Sequence, residues 1–323
     1  MISRFGATGD GAEVQSVTIG SDRLRATVLT FGAILQSVRL SGVNHDLTLG
    51  SLDLADYEGP MAYYGPVIGP VVNRIGNARV KIAGMMYELE RNQDGRHSLH
   101  SGRHGTHRKL WTITDATDTS VTLSIDLVDG QCDLPGARTI SARFEIADQS
   151  LTLTLTGRSD EATVMNLANH SYWNLDGSGS ISGHRLQVHA DHYLPTDDAM
   201  LPTGDVAEVA QTPFDFRAPV MISAGQPPLD TNFCLAEGQG PCREVLKLQG
   251  QSGVTLTLST DAPGLQVYDC REVGQSTRPP YEGLALEAQF WPDAPNHDHF
   301  PSILLRKGQQ FTQTTRWTFS RHG

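Results

Sequence analysis

The sequence has no basic block anywhere in its 323 residues. Its 25 Lys and Arg are scattered among 36 Asp and Glu, for a formal charge of −11. Phosphate binding needs clustered cations, so this distribution argues against a nucleic-acid partner and against a polybasic membrane anchor. No apolar run approaches the roughly 18 residues of a membrane span, so no membrane partner is expected. The first ten residues, Met1 to Asp10, lack the apolar stretch and the cleavage pattern of a signal peptide. Cys132, Cys234, Cys242 and Cys270 form no CxxC pair. They read as reduced thiols in a cytoplasmic protein rather than as a disulfide or zinc framework. Long segments with 3.6-residue periodicity are missing as well. So is any Pro-, Gly- or Ser-rich linker long enough to divide the chain, and a single domain over residues 1–323 is expected.

What the chain has in quantity is alternation. Val121 to Leu127, Leu151 to Thr156 and Val254 to Ser259 place apolar residues at every second position, with Thr and Ser between them. That is the pattern of a strand with one buried face, and threonine's branched Cβ suits the outer face. Thr139 to Ile146 and Phe311 to Phe319 are looser versions. Turn-rich stretches separate the runs, among them Asp94-Gly95, Asp129-Gly130, Asp176 to Ser180 and Pro227-Pro228. Many short strands with few helices predict an all-β fold, a large antiparallel β-sandwich.

Three segments interrupt the alternation with dense polar and aromatic residues. They are Gly65 to Asn77 with Ser98 to Gly102, Asn166 to Leu175, and Leu286 to Asn296 running on to Pro301. A pyranose presents hydroxyls around its edge and C–H groups on its faces. Fixed Asn, Arg, His and Asp groups can read the hydroxyls while Trp and Phe cover the faces. The composition therefore suits a sugar site, although polar-aromatic loops also occur in lectin-like modules.

The same segments resemble the aldose 1-epimerase, or galactose mutarotase, family. The resemblance rests on Asn73-Arg74-Ile75, on Leu99-His100-Ser101-Gly102 with Trp111 after it, and on Asn169 to Leu175. It continues through Leu229 to Phe233, Pro263 to Tyr268 and Leu286 to Pro301. It spans nearly the whole chain in order. The resemblance implies a large antiparallel sandwich with the sugar in an open cleft, with Glu287 as general base and His170 as general acid. Since free sugars mutarotate unaided, such a pair needs no cofactor and no metal. Asn73, Arg74, His100, Asp230 and Gln266 would hold the sugar. The expected partner is a monosaccharide, and the expected assembly a monomer or homodimer. Two positions depart from the family pattern: Pro70 stands where an arginine is common, and Ser101 replaces the first glycine of an LHGG motif. The stretch Asp129 to Gly136 also differs from the family's more acidic, glycine-rich loop.

Anomer exchange asks for little machinery. A base takes the C1 hydroxyl proton, an acid protonates the ring oxygen as C1–O5 breaks, and the ring closes on the other face with both transfers reversed. At reference pKa values of about 4.3 and 6.5 an ionised Glu287 can accept, and His170 must be held protonated by a carboxylate, Asp230 or Glu287. Each residue also has a plainer reading. His170 taken alone could be a structural histidine, Arg74 a loop brace and Asp230 a turn cap. Glu287 is different, because Leu284 to Ala288 reads as a strand entering the core, where a carboxylate must be paired or functional. His97, His100, His104 and His107 crowd one loop without matching a zinc signature, and His297 and His299 read as exposed. Two rival functions remain open: a non-catalytic carbohydrate-binding module on the same fold, and a hexose-6-phosphate 1-epimerase with Arg103, Arg108 and Lys109 as phosphate ligands.

Overall fold

A computed structural model describes residues 1–272 and 278–321. The alternating segments become strands. Val121, Leu123, Ile125 and Leu127 point inward from Ser120–Leu127, as do Leu151, Leu153 and Leu155 from Ser150–Ser159 and Val254, Leu256 and Leu258 from Val254–Thr260. The two looser runs extend by one or two residues, to Arg138–Ala147 and Gln310–Arg321. All five lie in a nine-stranded sheet, in the order Thr112–Ala116, Ser120–Leu127, Arg138–Ala147, Ser150–Ser159, Gln310–Arg321, Val254–Thr260, Arg243–Gln249, Arg185–Val188, Val220–Met221. Each neighbour runs antiparallel. An N-terminal four-stranded antiparallel sheet, Ile2–Ala7 to Leu35–Leu40, adds residues such as Val17, Ile19 and Val28 to the same apolar cluster. Among the described residues the one α-helical segment is the short turn Leu54–Glu58, whose N-terminus is capped by Asp53 accepting from the Ala55 amide.

Facing the large sheet is a six-stranded one, in the order Tyr172–Trp173, Leu284–Gln289, Gly264–Tyr268, Asp230–Cys234, His192–Tyr193, Ala207–Glu208. The two meet where Trp173 packs between Trp317 and Phe319, with ring centroids 5.6 Å from each. A buried aromatic ring removes about 150–250 Å² from water, on the order of 4–6 kcal/mol at roughly 25 cal/mol/Å². These three rings fix the spacing and register of one layer on the other.

The smaller sheet is polar on its other face, and this positions the site. Strands alternate, so Leu284, Leu286, Ala288, Leu265, Val267 and Phe233 join the core. Glu287, Gln289, Gln266, Tyr268, Asp230 and Asn232 point the opposite way. All six residues of Leu284–Gln289 are nevertheless buried, because loops cover the polar face too. Two-sided burial explains why this strand shows no apolar–polar rhythm of the surface kind.

Candidate active site

The three polar-aromatic segments converge on that covered face. They enclose a cleft of ≈ 210 Å³ lined by Tyr63, Asn73, Arg74, Leu99, His100, His170, Tyr172, Asp230, Tyr268, Glu272 and Glu287. Register accounts for the grouping. Asn232 pairs with Gln266 and Gln266 with Glu287, so these three side chains form one row across the sheet. Tyr172 pairs with Ala285, which brings His170, two residues earlier, beside Glu287, two residues later. His170 Nε2 lies 3.5 Å from Glu287 Oε1, just beyond hydrogen-bond length.

His170 is held by its backbone. Its amide donates to Pro66 O at 2.9 Å and its carbonyl accepts from the Gly65 amide, while the side chain of Asn169 donates to Gly65 O. Asn73 and His100 are placed by the loops on the opposite wall, both in the left-handed region at φ 63 and 54. They lock each other reciprocally. The His100 amide donates to Asn73 O at 3.0 Å, and the Asn73 amide donates to His100 Nδ1 at 3.1 Å. An Nδ1 that accepts leaves the neutral ring's proton on Nε2, as a donor. Arg74 donates to Gln93 Oε1 at 3.1 Å and pairs with Asp230 at 3.4 Å. Gln266 lies on the strand between those of Glu287 and Asp230, with its Nε2 donating to Asp230 Oδ1 at 2.5 Å. Asp293 braces the Arg74 loop from outside, its amide donating to Arg74 O and its carboxylate accepting from the Gly76 amide.

Of the two sequence departures, Ser101 has a visible role. It sits at φ 60, where glycine is usual, and its Oγ bonds both the amide and the carbonyl of Val71, at 2.8 and 2.9 Å. The hydroxyl ties the two loops together in return for the left-handed backbone. Pro70 follows a cis peptide bond, and its carbonyl accepts from the Asn166 amide.

Two expectations need correction. The charges inferred from reference pKa values are opposed by burial in the ligand-free cleft. Burial pushes the Glu287 carboxyl well above its ordinary value, with Asp230 adding to the effect and Arg74 opposing it. Burial likewise depresses His170, to about 4. Burial thus favours a neutral carboxyl beside a neutral imidazole in the empty cleft, because charge is costly where polar surroundings are few. The aromatic rings facing the cleft also differ from those expected. Trp173 is in the core, and Trp291 packs edge-on against Phe300 while its Nε1 donates to Pro263 O. The cleft walls are the tyrosines Tyr63, Tyr172 and Tyr268. Tyr63 was missed by reading the sequence, since nothing in Met61-Ala62-Tyr63-Tyr64 marks one tyrosine over the other. In the structure Tyr63 leans on His100, His107 and His170, with centroids 5.0, 5.2 and 6.0 Å away.

The crowded histidines go to separate tasks. His97 Nδ1 accepts from the Asn77 amide, His100 lines the cleft, exposed His104 meets Arg103, and His107 is buried behind Tyr63, its pKa depressed to about 3 by burial. Among the described residues no three His, Cys, Asp or Glu side chains gather as a metal site would require. The four cysteines are unpaired. His299 is exposed as expected, but His297 is half-buried, stacked on Phe300 and 3.5 Å from Asp293.

A fold of two facing antiparallel sheets with this cleft defines a family. The aldose 1-epimerase family model matches residues 15–318, and the chain belongs to that family. It is 34% identical to a rat galactose mutarotase, over 96% of this chain and 95% of the other. It is 30% identical to an aldose 1-epimerase of Escherichia coli K12, over 96% of each. Among solved structures, an aldose epimerase homologue from C. elegans superposes with a TM-score of 0.88 at 30% identity, covering 95% of this chain and 99% of that one. A galactose 1-epimerase from Lactobacillus acidophilus gives 0.86 at 27% identity, covering 100% and 99%.

Proposed function

We propose that this protein is an isomerase that interconverts the α- and β-anomers of a free aldose, with Glu287 and His170 as its acid–base pair. The single observation that carries the reading is their placement. Two buried titratable side chains face one another across 3.5 Å at the floor of a cleft walled by sugar-compatible groups. In this reading Glu287 takes the C1 hydroxyl proton, and His170 delivers a proton to O5 as C1–O5 breaks. The aldehyde turns about C1–C2, and closure on the other face returns both protons. Asn73, Arg74, His100 and Asp230 read the hydroxyls, with Gln266 steadying Asp230.

The neutral pair of the empty cleft and the charged pair this mechanism starts from contain the same number of protons. One internal shift from carboxyl to imidazole interconverts them, and nothing is drawn from solvent. Bound hydroxyls, one donating toward the carboxylate, supply the polarity that burial denies and favour the charged form. Ring opening then regenerates the neutral pair. A positioned acid or base typically contributes ~10² to 10⁴-fold, enough for a reaction that free sugars undergo unaided, so the chemistry calls for no cofactor.

The phosphorylated-sugar alternative finds little support. The cleft lining holds one cation, Arg74, already paired with Asp230, against the acids Asp230, Glu272 and Glu287. Arg103, Arg108 and Lys109 do not line it, and Arg103 reaches outward to Glu90. A purely binding module has no need of a facing carboxyl and imidazole at the cleft floor. A single domain in the cytoplasm, monomeric or dimeric, completes the proposal. Among the described residues no helix is long and apolar enough to cross a membrane. Polarimetry on freshly dissolved α-glucose and α-galactose tests the activity: the wild type should accelerate the approach to equilibrium, and Glu287→Gln should lose nearly all of that acceleration. No acceleration on any free aldose would leave the binding-module reading, and a variant as fast as its parent would remove Glu287 from the chemistry.

A further inference from the structure

Gln289 stands two residues beyond Glu287 on the same strand and points to the same face. Its side chain is fully buried, and neither its Nε2 nor its Oε1 has a hydrogen-bond partner among the described residues. Laterally it has no polar neighbour in register. One flank is Gly264, its cross-strand partner, and the other is Ala168, placed by continuing the Tyr172–Ala285 register. Gly264 has no room for a side chain, since a Cβ there would come within 2.9 Å of Asn232 Oδ1 and Trp291 Cδ1. Along the strand the situation differs. Glu287 Oε2 is also buried and unpartnered, as are Gln266 Oε1 and Asn232 Oδ1 in its row, the last of them lying over Gly264. Residues i and i+2 of a strand are roughly 7 Å apart, a gap that a carboxamide and a carboxylate, each on a two-carbon stem, can close between them.

Burying an amide without partners is costly, and a glutamine in this place is hard to account for by packing, which an isosteric methionine would satisfy better. We propose that Gln289 is a positioning residue for the anomerisation, its Nε2–H donating to Glu287 Oε2 once a bound sugar draws that carboxyl into its ionised form. Oε1 of Glu287 then remains free for the C1 hydroxyl, on the side facing His170. The inference rests on the proposed role of Glu287, and its test includes a readout independent of turnover.

The variants are Gln289→Met, which keeps volume and removes the donor, and Gln289→Glu, which keeps shape and replaces the donor with an acceptor. Both are assayed by polarimetry alongside the wild type, with thermal unfolding followed by circular dichroism. In parallel, carbon-13 NMR of glutamate-labelled protein follows the Glu287 carboxyl against pH with a non-reacting 1-deoxy sugar bound, assigned by its loss in Glu287→Gln. The charged or titratable groups facing that carboxyl are His170, Tyr172, Asp230 and Arg74, with Tyr63, His100, Tyr268 and Glu272 lining the same cleft, all unchanged in the Gln289 variants. The expected result for Gln289→Met is a fall in kcat of ~10- to 100-fold, the rate equivalent of one hydrogen bond to a charged group. KM should stay within about twofold and the melting temperature should hold or rise, since an unsatisfied amide has been removed. The Glu287 midpoint should move upward. Gln289→Glu should be at least as impaired. A Met variant with wild-type kcat, or an unmoved Glu287 midpoint, overturns the proposal. Wild-type protein that accelerates no aldose refutes the function instead, while the carboxyl titration still judges the contact.

Discussion

The effect of burial on the proposed dyad makes a specific forecast for the pH dependence of kcat/KM, which reports the free enzyme's essential groups. In the proposed mechanism activity requires one proton on the pair, whichever member carries it, because anomer exchange needs one acceptor and one donor together. With reference values of about 4.3 for Glu and 6.5 for His, kcat/KM would peak near pH 5.4. Only about a quarter of the enzyme would then hold a protonated histidine at pH 7. The structure gives a different curve. Burial depresses His170 to about 4 and pushes Glu287 well above its ordinary range, so one proton is retained across the interval between. The forecast is a plateau that begins at an acid limb near pH 4, where the second proton binds and the acceptor is lost, and ends on an alkaline limb set by the raised Glu287 carboxyl. A tenfold fall accompanies each further pH unit, so activity at pH 3 should be down ~10-fold. The two limbs belong to the pair rather than to either residue. The assay is initial-rate polarimetry at low sugar concentration in overlapping buffers, with the spontaneous rate subtracted at each pH and the protein's circular dichroism checked for acid unfolding. A bell centred near 5.4, with an alkaline limb close to 6.5, would refute the burial argument and restore the solvent-like values.

Two further predictions concern stability. Glu287→Gln should not lower the melting temperature, and its advantage over wild type should grow with pH. The folded carboxyl binds its proton more tightly than the unfolded one, so its contribution is fully present below the unfolded value near 4.3 and declines as pH rises toward the folded one. Equal melting temperatures for the two proteins from pH 4 to 8 would contradict this. Ser101→Ala should cost about 1–3 kcal/mol, because the Val71 amide loses its partner while the left-handed backbone remains. Ser101→Gly should cost less, by about 1 kcal/mol, since the backbone strain goes too. Denaturant unfolding of the pair gives the difference directly, and Ala as stable as Gly would show that the strain is absent.

Sequence alone decided the fold class, because alternation is a local signal. Leu151-Thr152-Leu153-Thr154 can bury one face only as a strand, and it does so in the nine-stranded sheet. The residues of the site were legible for a different reason. Asn73, Arg74, His100, His170, Asp230, Gln266 and Glu287 stand in segments whose polar and aromatic density breaks the alternation and matches a family pattern, and the structure gathers all seven at or just behind one cleft. Tertiary structure alone decided what those residues are electrically. The depressed histidine and raised glutamate follow from burial beneath loops distant in sequence, such as those of Asn73 and His100, and no local pattern encodes burial from the far side of a sheet. The same applies to the rings. Trp173 and Tyr172 are neighbours in one motif, yet a strand sends successive side chains to opposite faces, so the tryptophan went to the core and the tyrosine to the cleft. Gln289 is the clearest case: an ordinary glutamine in the sequence, it becomes conspicuous only when register sets it between glycine and alanine, with a buried carboxyl as its polar neighbour along the strand.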